Sequence, residues 1–391
     1  MASHRGLFGA RVVTTRRLLG LDPSGVSGLF TFGDRIVSFE PRRRPSAEYV
    51  LPGFIDLQVN GAFGVDVMSA SATDLREISR RLVMEGTTAW LPTVITAPLD
   101  QIERTDRVIA EAMAAQEEGR QTARATGTRF AESAILGMHL EGPFVSPQRL
   151  GIHPPLNLLP EGEPLQRVMR LNTLRLITLA PELDGALAAI PSLVDKRIAV
   201  SIGHTNASYE QAMAGVMAGA RMFTHVFNAM PPLHHRAPGA AGAALSDSRA
   251  MAALIADGVH VHPTMLRIAW RARGPGGTIF TSDRISLAGS GSENAALFGG
   301  RACAKILNGA ARRADGTLAG SIITMLDAVR ITRRYTDIDP RGIMKAGSYN
   351  AARVLQLRDR GNLLPRSRAD LLLLNRDLDL KAVFIAGRDI Q

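Results

Sequence analysis

Cysteine is almost missing: Cys303 is the single one among 391 residues. That excludes a disulfide framework and a thiolate-rich metal cluster, and it fits a reducing compartment, so a cytoplasmic location is expected. Aromatic residues amount to only 5%, too few to build a stacking platform for nucleic acid. No run of about 18 uninterrupted apolar residues occurs, so no membrane span is expected. The opening Met1-Ala-Ser-His-Arg-Gly6 leads into Leu7–Val13, which alternates like a strand and lacks the continuous apolar core of a signal peptide. Heptads, low-complexity tracts and clear repeats are also absent.

A surplus of positive charge is present, with a formal net charge of +10. It has two readings, attraction to a polyanion or a solvated arginine-rich surface. The arginines are scattered (Arg16, Arg81, Arg120, Arg271, Arg330) and interleaved with acids, and the densest cluster, Arg42-Arg43-Arg44, lies in a proline-bounded loop. The surface reading is preferred, and no nucleic-acid partner is expected. A modest positive field still attracts a phosphorylated metabolite.

With 46% hydrophobic residues, the chain can bury a full core and form one large domain plus a small one. Short apolar runs alternate with helix-like stretches. Phe54–Asn60, Thr88–Thr93, Ala134–His139, Leu174–Ala180, Ile198–Ile202, Arg221–Thr224, Ala252–Ala256 and Thr278–Thr281 read as eight strands. One helix is expected to be capped near Thr73 and to end before Gly86, and a long alanine-rich one to begin near Leu99. Eight strand–helix repeats predict a parallel (β/α)8 barrel of the TIM type over residues 52–358. The two ends differ: Gly28–Phe32, Asp34–Phe39, Ala369–Asn375 and Leu380–Gly387 read as β-strands too few at either end to bury a face alone. Residues 1–51 and 359–391 are therefore paired into one small β-sandwich domain.

Chemistry concentrates at the C-terminal tips of the barrel strands. Glu141 in Met138-His-Leu-Glu-Gly-Pro143, His204 after Ala199–Gly203 and His225 after Met222–Thr224 supply one carboxylate and two imidazoles. These can hold three corners of a tetrahedral zinc site, with the fourth open for water. Asp283, on the tip of the eighth strand, is placed to be that water's general base. Each residue alone has a plain structural reading, a turn cap for Glu141 or a hydrogen-bonded loop imidazole for each histidine; their joint placement favours the metal. His153 can polarise a carbonyl or simply face solvent. Asn228, Ala229, Arg236 and His260 are candidate anion donors with turn, surface or core alternatives. His234 and His235 are read as bland.

Taken in order, Pro52–Asp56, His139–Pro143, Gly203–Thr205, Thr224–Met230, Asp257–His260, Ser282-Asp283 and Gly316–Ser321 resemble the N-acetylglucosamine-6-phosphate deacetylases of the amidohydrolase superfamily, nearly end to end. The resemblance implies metal-dependent hydrolysis of the acetamide of N-acetyl-D-glucosamine 6-phosphate. Glu141, His204 and His225 would hold the metal and Asp283 would shuttle the proton. Ile152, His153, Asn228, Ala229, Arg236, His260, Leu318, Ala319 and Gly320 would line the sugar-phosphate pocket. It further implies a homodimer, in which residues near the phosphate are sometimes supplied across the interface. Two features refine the likeness. Gln58 and Asn60 stand where many amidohydrolases place the His-x-His of a second metal; carboxamides are poor ligands for a divalent ion, so one metal per subunit is expected, zinc first, with Fe(II) or Co(II) as alternatives. Arg284 departs from the small residue the family places after the aspartate, and Arg284–Ala288 lacks the usual proline-rich pattern. An N-acetylgalactosamine-6-phosphate deacetylase or another amidohydrolase is the alternative activity, and a catalytically silent sugar-phosphate sensor a weaker one.

Overall fold

The structure, a computed structural model, describes residues 16–43, 48–292, 296–298 and 301–390. The expected strand Leu7–Val13 and Arg44 lie outside the described residues. Eight parallel strands follow one another around a barrel: Phe54–Val59, Thr87–Ile95, Met138–Glu141, Leu174–Leu179, Ala199–Ile202, Met222–Phe223, Met251–Leu254 and Thr278–Phe280. They are called here the first to eighth barrel strands. The ring is nearly closed, a parallel bridge joining Val59, the last residue of the first strand, to Arg284 beyond the end of the eighth. The third strand departs from the expectation of one run from Ala134. Gly137, at φ 126°, turns the chain after a short Ala134–Ile135 segment, and pairing resumes at Met138.

Every residue of the first and second strands is buried, as expected for a parallel sheet covered on both faces. Ile55, Leu57, Ala89, Leu91, Leu176, Met222, Ala253 and Ile279 fill the barrel interior against Ala351, Val354 and Leu355. The surrounding helices bury apolar stripes on the outer face. In helix Ala72–Met84, Leu75, Ile78 and Leu82 recur at helical spacing and are buried. Its cap, expected near Thr73, is Ser71: the Ser71 hydroxyl takes the Asp74 amide while the Asp74 carboxylate takes the Ser71 amide, satisfying two otherwise unpaired donors. The alanine-rich helix runs Leu99–Thr126.

Strands from both chain ends join in a separate seven-stranded sheet, in the order Arg388–Asp389, Leu380–Ile385, Leu371–Leu374, Tyr49–Pro52, Arg16–Leu21, Ser27–Phe32, Ile36–Pro41. Phe32 and Phe384 lie on strands four steps apart in that order, roughly 19 Å if the sheet were flat. Their rings are nevertheless 5.7 Å apart. The sheet therefore folds over on itself around Phe30, Phe32, Ile36, Val50, Leu371 and Phe384, giving this small unit a core of its own. Among the described residues, no helix is long and apolar enough to cross a membrane.

Candidate active site

Strand ends bring the site together. Glu141 is the last residue of the third barrel strand, and His204, His225 and Asp283 follow the fifth, sixth and eighth within two or three residues. The chain turns sharply there: His204, His225, Phe227, Ala229 and Asp283 all adopt positive φ, between 29° and 81°. Such conformations disfavour L-residues and concentrate at functional sites. Gly203 leaves no alternative at its own position, since a Cβ would lie 2.8 Å from both Thr178 Cγ2 and Thr224 Cβ.

The geometry converges on Glu141. His225 Nε2 is 2.8 Å and His204 Nε2 3.1 Å from Glu141 Oε1, and His153 Nε2 is 3.8 Å from Oε2. Candidate ligating atoms of Glu141, His153 and His204 lie within 4.8 Å of one another. Burial opposes ionisation of Glu141, but hydrogen bonds from His153, His204 and His225 hold its carboxyl well below the usual range. The His204 tautomer follows from its second contact. Nδ1 lies 2.9 Å from the Arg149 carbonyl, which can only accept, so Nδ1 is the donor there and Nε2 is the nitrogen turned toward the Glu141 carboxylate. A positive charge shared between them, whether a proton or a metal ion, satisfies both, and a carboxylate with imidazole nitrogens suits a divalent transition metal. This Glu/His cluster therefore fits a divalent metal ion, a conclusion the chemistry of the donors carries.

Around it stands a supporting layer. Glu182 accepts from the Thr205 hydroxyl (2.5 Å) and the Asn206 amide (2.6 Å), fixing the turn that follows His204. Thr96 Oγ1 is 2.9 Å from His153 Nδ1. Burial lowers His153 to a pKa of about 4, so its ring is neutral. His139 serves the core instead, its Nε2 bonded at 2.8 Å to Thr178, which continues to Thr224. Gln58 Nε2 donates to Glu141 Oε1 at 3.0 Å and Asn60 Nδ2 to Asp283 Oδ1 at 2.8 Å. Burial first, then the Glu141 charge, push the Asp283 carboxyl up to about 8. An acid so tuned holds or releases a proton near neutrality.

These groups form the floor of a cavity of about 400 Å³. It is lined by Ile152, His153, Asn228, Ala229, His260, Leu318 and Gly320, as expected, together with Glu141, His204, His225 and Asp283. Two expected residues do not line it. Ala319 is fully buried behind the wall, in an apolar cluster with Ile95, Ile285 and Leu287. Arg236 is exposed on the loop between Pro232 and Pro238, its amide bonded to His234 Nδ1. Gly151, Ile255, Arg312, Gly316 and Thr317 join the lining unanticipated.

An amidohydrolase family model matches residues 49–390. The chain belongs to the amidohydrolase family. A protein of Lysinibacillus sphaericus named N-acetylglucosamine-6-phosphate deacetylase is 35% identical over 88% of this chain and 86% of its own. A protein of Escherichia coli O157:H7 named N-acetylgalactosamine-6-phosphate deacetylase is also 35% identical, over 88% of each chain. Among solved structures, a Mycobacterium smegmatis N-acetyl-D-glucosamine-6-phosphate deacetylase variant, in complex with N-acetyl-D-glucosamine-6-phosphate, superposes with a TM-score of 0.81. It is 32% identical, with 93% of this chain and 94% of that one covered.

Within this amidohydrolase, the departure at Arg284 has a structural account. The side chain is 2% exposed, donates from Nη1 to Glu85 Oε2 at 2.5 Å and lies over the Phe63 ring at 4.8 Å. Its carbonyl accepts from Asn60 and Gly61, closing the barrel beside Asp283. Glu85→Ala leaves a buried guanidinium without its counter-charge, an expected loss of about 3 kcal/mol. A fall in Tm by scanning calorimetry, partly recovered by adding Arg284→Met, checks it; an unchanged Tm would mean the pair carries no stability.

Proposed function

We propose that this chain hydrolyses the acetamide of N-acetyl-D-glucosamine 6-phosphate to D-glucosamine 6-phosphate and acetate. The observation that carries the reading is one carboxyl able to hold a proton, Asp283, beside a Glu/His cluster fit for a divalent ion, in a cavity sized for a single sugar. Glu141, His204 and His225 would hold the ion, because all three stand on barrel-strand ends, whereas His153 sits in a loop. One ion per chain is expected, zinc first and Fe(II) or Co(II) with the same donors, since Gln58 and Asn60 turn their amide nitrogens to Glu141 and Asp283. When bound, the ion would supply Lewis-acid polarisation and lower the pKa of nearby water.

The remaining work belongs to side chains. With Oδ1 held by Asn60, Asp283 takes the proton of the attacking water at Oδ2. Water oxygen bonds to the acetamide carbon, and His153 Nε2, with Thr96 on its Nδ1, donates to the carbonyl oxygen as negative charge develops. Asp283 then returns the proton to the nitrogen as the C–N bond breaks. Asn228, Ala229 and His260 hold the sugar phosphate, His260 being oriented by Asp257, whose Oδ2 is 2.5 Å from Nδ1.

The galacto epimer is the second reading, because a relative bearing that activity's name stands at the same 35% identity. Acetate release from N-acetylglucosamine 6-phosphate, its galacto epimer and unphosphorylated N-acetylglucosamine, on metal-defined protein, tests the proposal. Activity on none of the three would refute it. Residues 1–51 and 359–391 are taken as the small domain and 52–358 as the catalytic one.

A homodimer is also proposed, with Arg236 reaching the neighbouring subunit's phosphate, since it is exposed on the loop that follows His225 and Asn228 and does not line its own cavity. Arg236→Ala is then expected to lower kcat/KM on the phosphorylated sugar about ten- to a hundredfold, the size of a lost charge-assisted contact. Activity on the unphosphorylated sugar stays unchanged. Parallel losses on both, or a monomer by sedimentation, would remove Arg236 from the site.

A further inference from the structure

Arg312 is the one arginine or lysine among the described residues that lines the catalytic cavity. It ends the strand Ala310–Arg312, outside the barrel, and its Cα pairs across a tight turn with Leu318. Ala319 N donates to the Ala311 carbonyl at 3.0 Å and Arg313 N to the Thr317 carbonyl at 2.8 Å, so the turn is stitched on both sides of the arginine. Among the described residues the guanidinium makes one hydrogen bond, Nη1 to the Gly316 carbonyl at 2.9 Å. No carboxylate pairs with it among the described residues, unlike its neighbour Arg313, which faces Asp315 at 3.8 Å. A half-buried guanidinium held toward a cavity by one neutral acceptor keeps most of its five donors for a ligand.

The charge balance of the lining indicates what that ligand carries. Glu141 and Asp283 place carboxyl groups on the floor, and His260 is matched by its own counter-ion, Asp257. An anionic substituent entering this cavity therefore meets, among the described residues of the same chain, one permanent, uncompensated cation. We propose that Arg312 is a specificity residue that clamps the phosphate of the sugar phosphate from within the same subunit. It does so as the planar fork suited to phosphate oxygens, on a turn separate from the Asn228–Ala229 segment. The inference rests on the sugar-phosphate reading above and adds to it a contact from a part of the chain outside the eight barrel strands.

The test compares Arg312→Ala, Arg312→Lys and, as a control, Arg313→Ala, whose side chain is 43% exposed. For Arg312→Ala, KM for N-acetylglucosamine 6-phosphate is expected to rise about tenfold or more, the effect of a lost charge-assisted contact. Its kcat stays within about twofold, and unphosphorylated N-acetylglucosamine is turned over as by wild type. Arg312→Lys keeps the charge without the fork and falls between; Arg313→Ala matches wild type. Calorimetry reads binding independently of turnover: affinity for glucosamine 6-phosphate falls about tenfold in Arg312→Ala while affinity for glucosamine is unchanged. Equal losses on phosphorylated and unphosphorylated sugars, or no loss on either, would overturn the proposal. If wild type releases acetate from no substrate, the proposed activity fails instead. Calorimetry with glucose 6-phosphate against glucose then still decides whether Arg312 reads a sugar phosphate, and equal affinities for that pair overturn it.

Discussion

Asp283→Asn is expected to lower kcat a hundredfold or more, the lower end for loss of a general acid/base, while metal content and affinity for glucosamine 6-phosphate stay as in wild type. The substitution is conservative in shape: the amide oxygen still accepts from Asn60 Nδ2, which lies 2.8 Å from Asp283 Oδ1. What disappears is the ionisable group. Burial and the Glu141 charge push that carboxyl up to about 8, and a bound divalent ion nearby pulls it back down. Asp283 must be ionised to accept the water proton, so kcat/KM falls as pH drops through its pKa. That acid limb should vanish in the variant. Near-wild-type turnover, or an unchanged acid limb, would show that another group moves the proton.

The second large effect falls on the metal. Glu141→Gln removes the one carboxylate at the point where His204 Nε2 and His225 Nε2 converge, 3.1 Å and 2.8 Å from its Oε1. A neutral amide is a poor partner for a divalent ion. Metal affinity should fall by at least about a hundredfold, the upper end of what loss of a mere supporting contact costs. Elemental analysis of stripped and reloaded protein should give about one ion per chain for wild type and a small fraction of that for the variant. Binding of metal to the native state alone raises Tm, so the metal-induced rise in Tm should also disappear. A variant retaining a full equivalent would reassign the site to the histidines, with His153 as the first candidate. A stable ratio near two in wild type would contradict the role given to Gln58 and Asn60.

The barrel was legible because parallel strands covered on both faces must be continuous apolar runs, and Thr87–Ile95 and Leu174–Leu179 are such runs separated by helix-length stretches. Their C-terminal tips then named Glu141, His204, His225 and Asp283, since side chains at that face of a barrel converge whatever the loops do. Local chemistry was harder to place. Which residue near Thr73 is the cap depends on which hydroxyl meets Asp74, and Ser71 and Thr73 both offer one. The break at Gly137 splits a strand that hydropathy alone reads as continuous.

Residue types and spacing by themselves determined the barrel, the candidate donors at its mouth and the want of histidines at 58 and 60. Only the tertiary structure decided which loops reach that mouth. Arg236 lies near His225 in sequence yet turns outward between prolines, whereas Arg312, one of many scattered arginines, is carried into the cavity by a turn outside the barrel strands. The structure likewise placed Arg284 under cover by giving it Glu85, 199 residues away, as counter-charge. The reason is physical. Strand tips are fixed by a periodic hydrogen-bond ladder whose repeat shows in the sequence, but a loop's direction and a buried charge's partner depend on contacts between segments far apart in the chain, which no local pattern encodes.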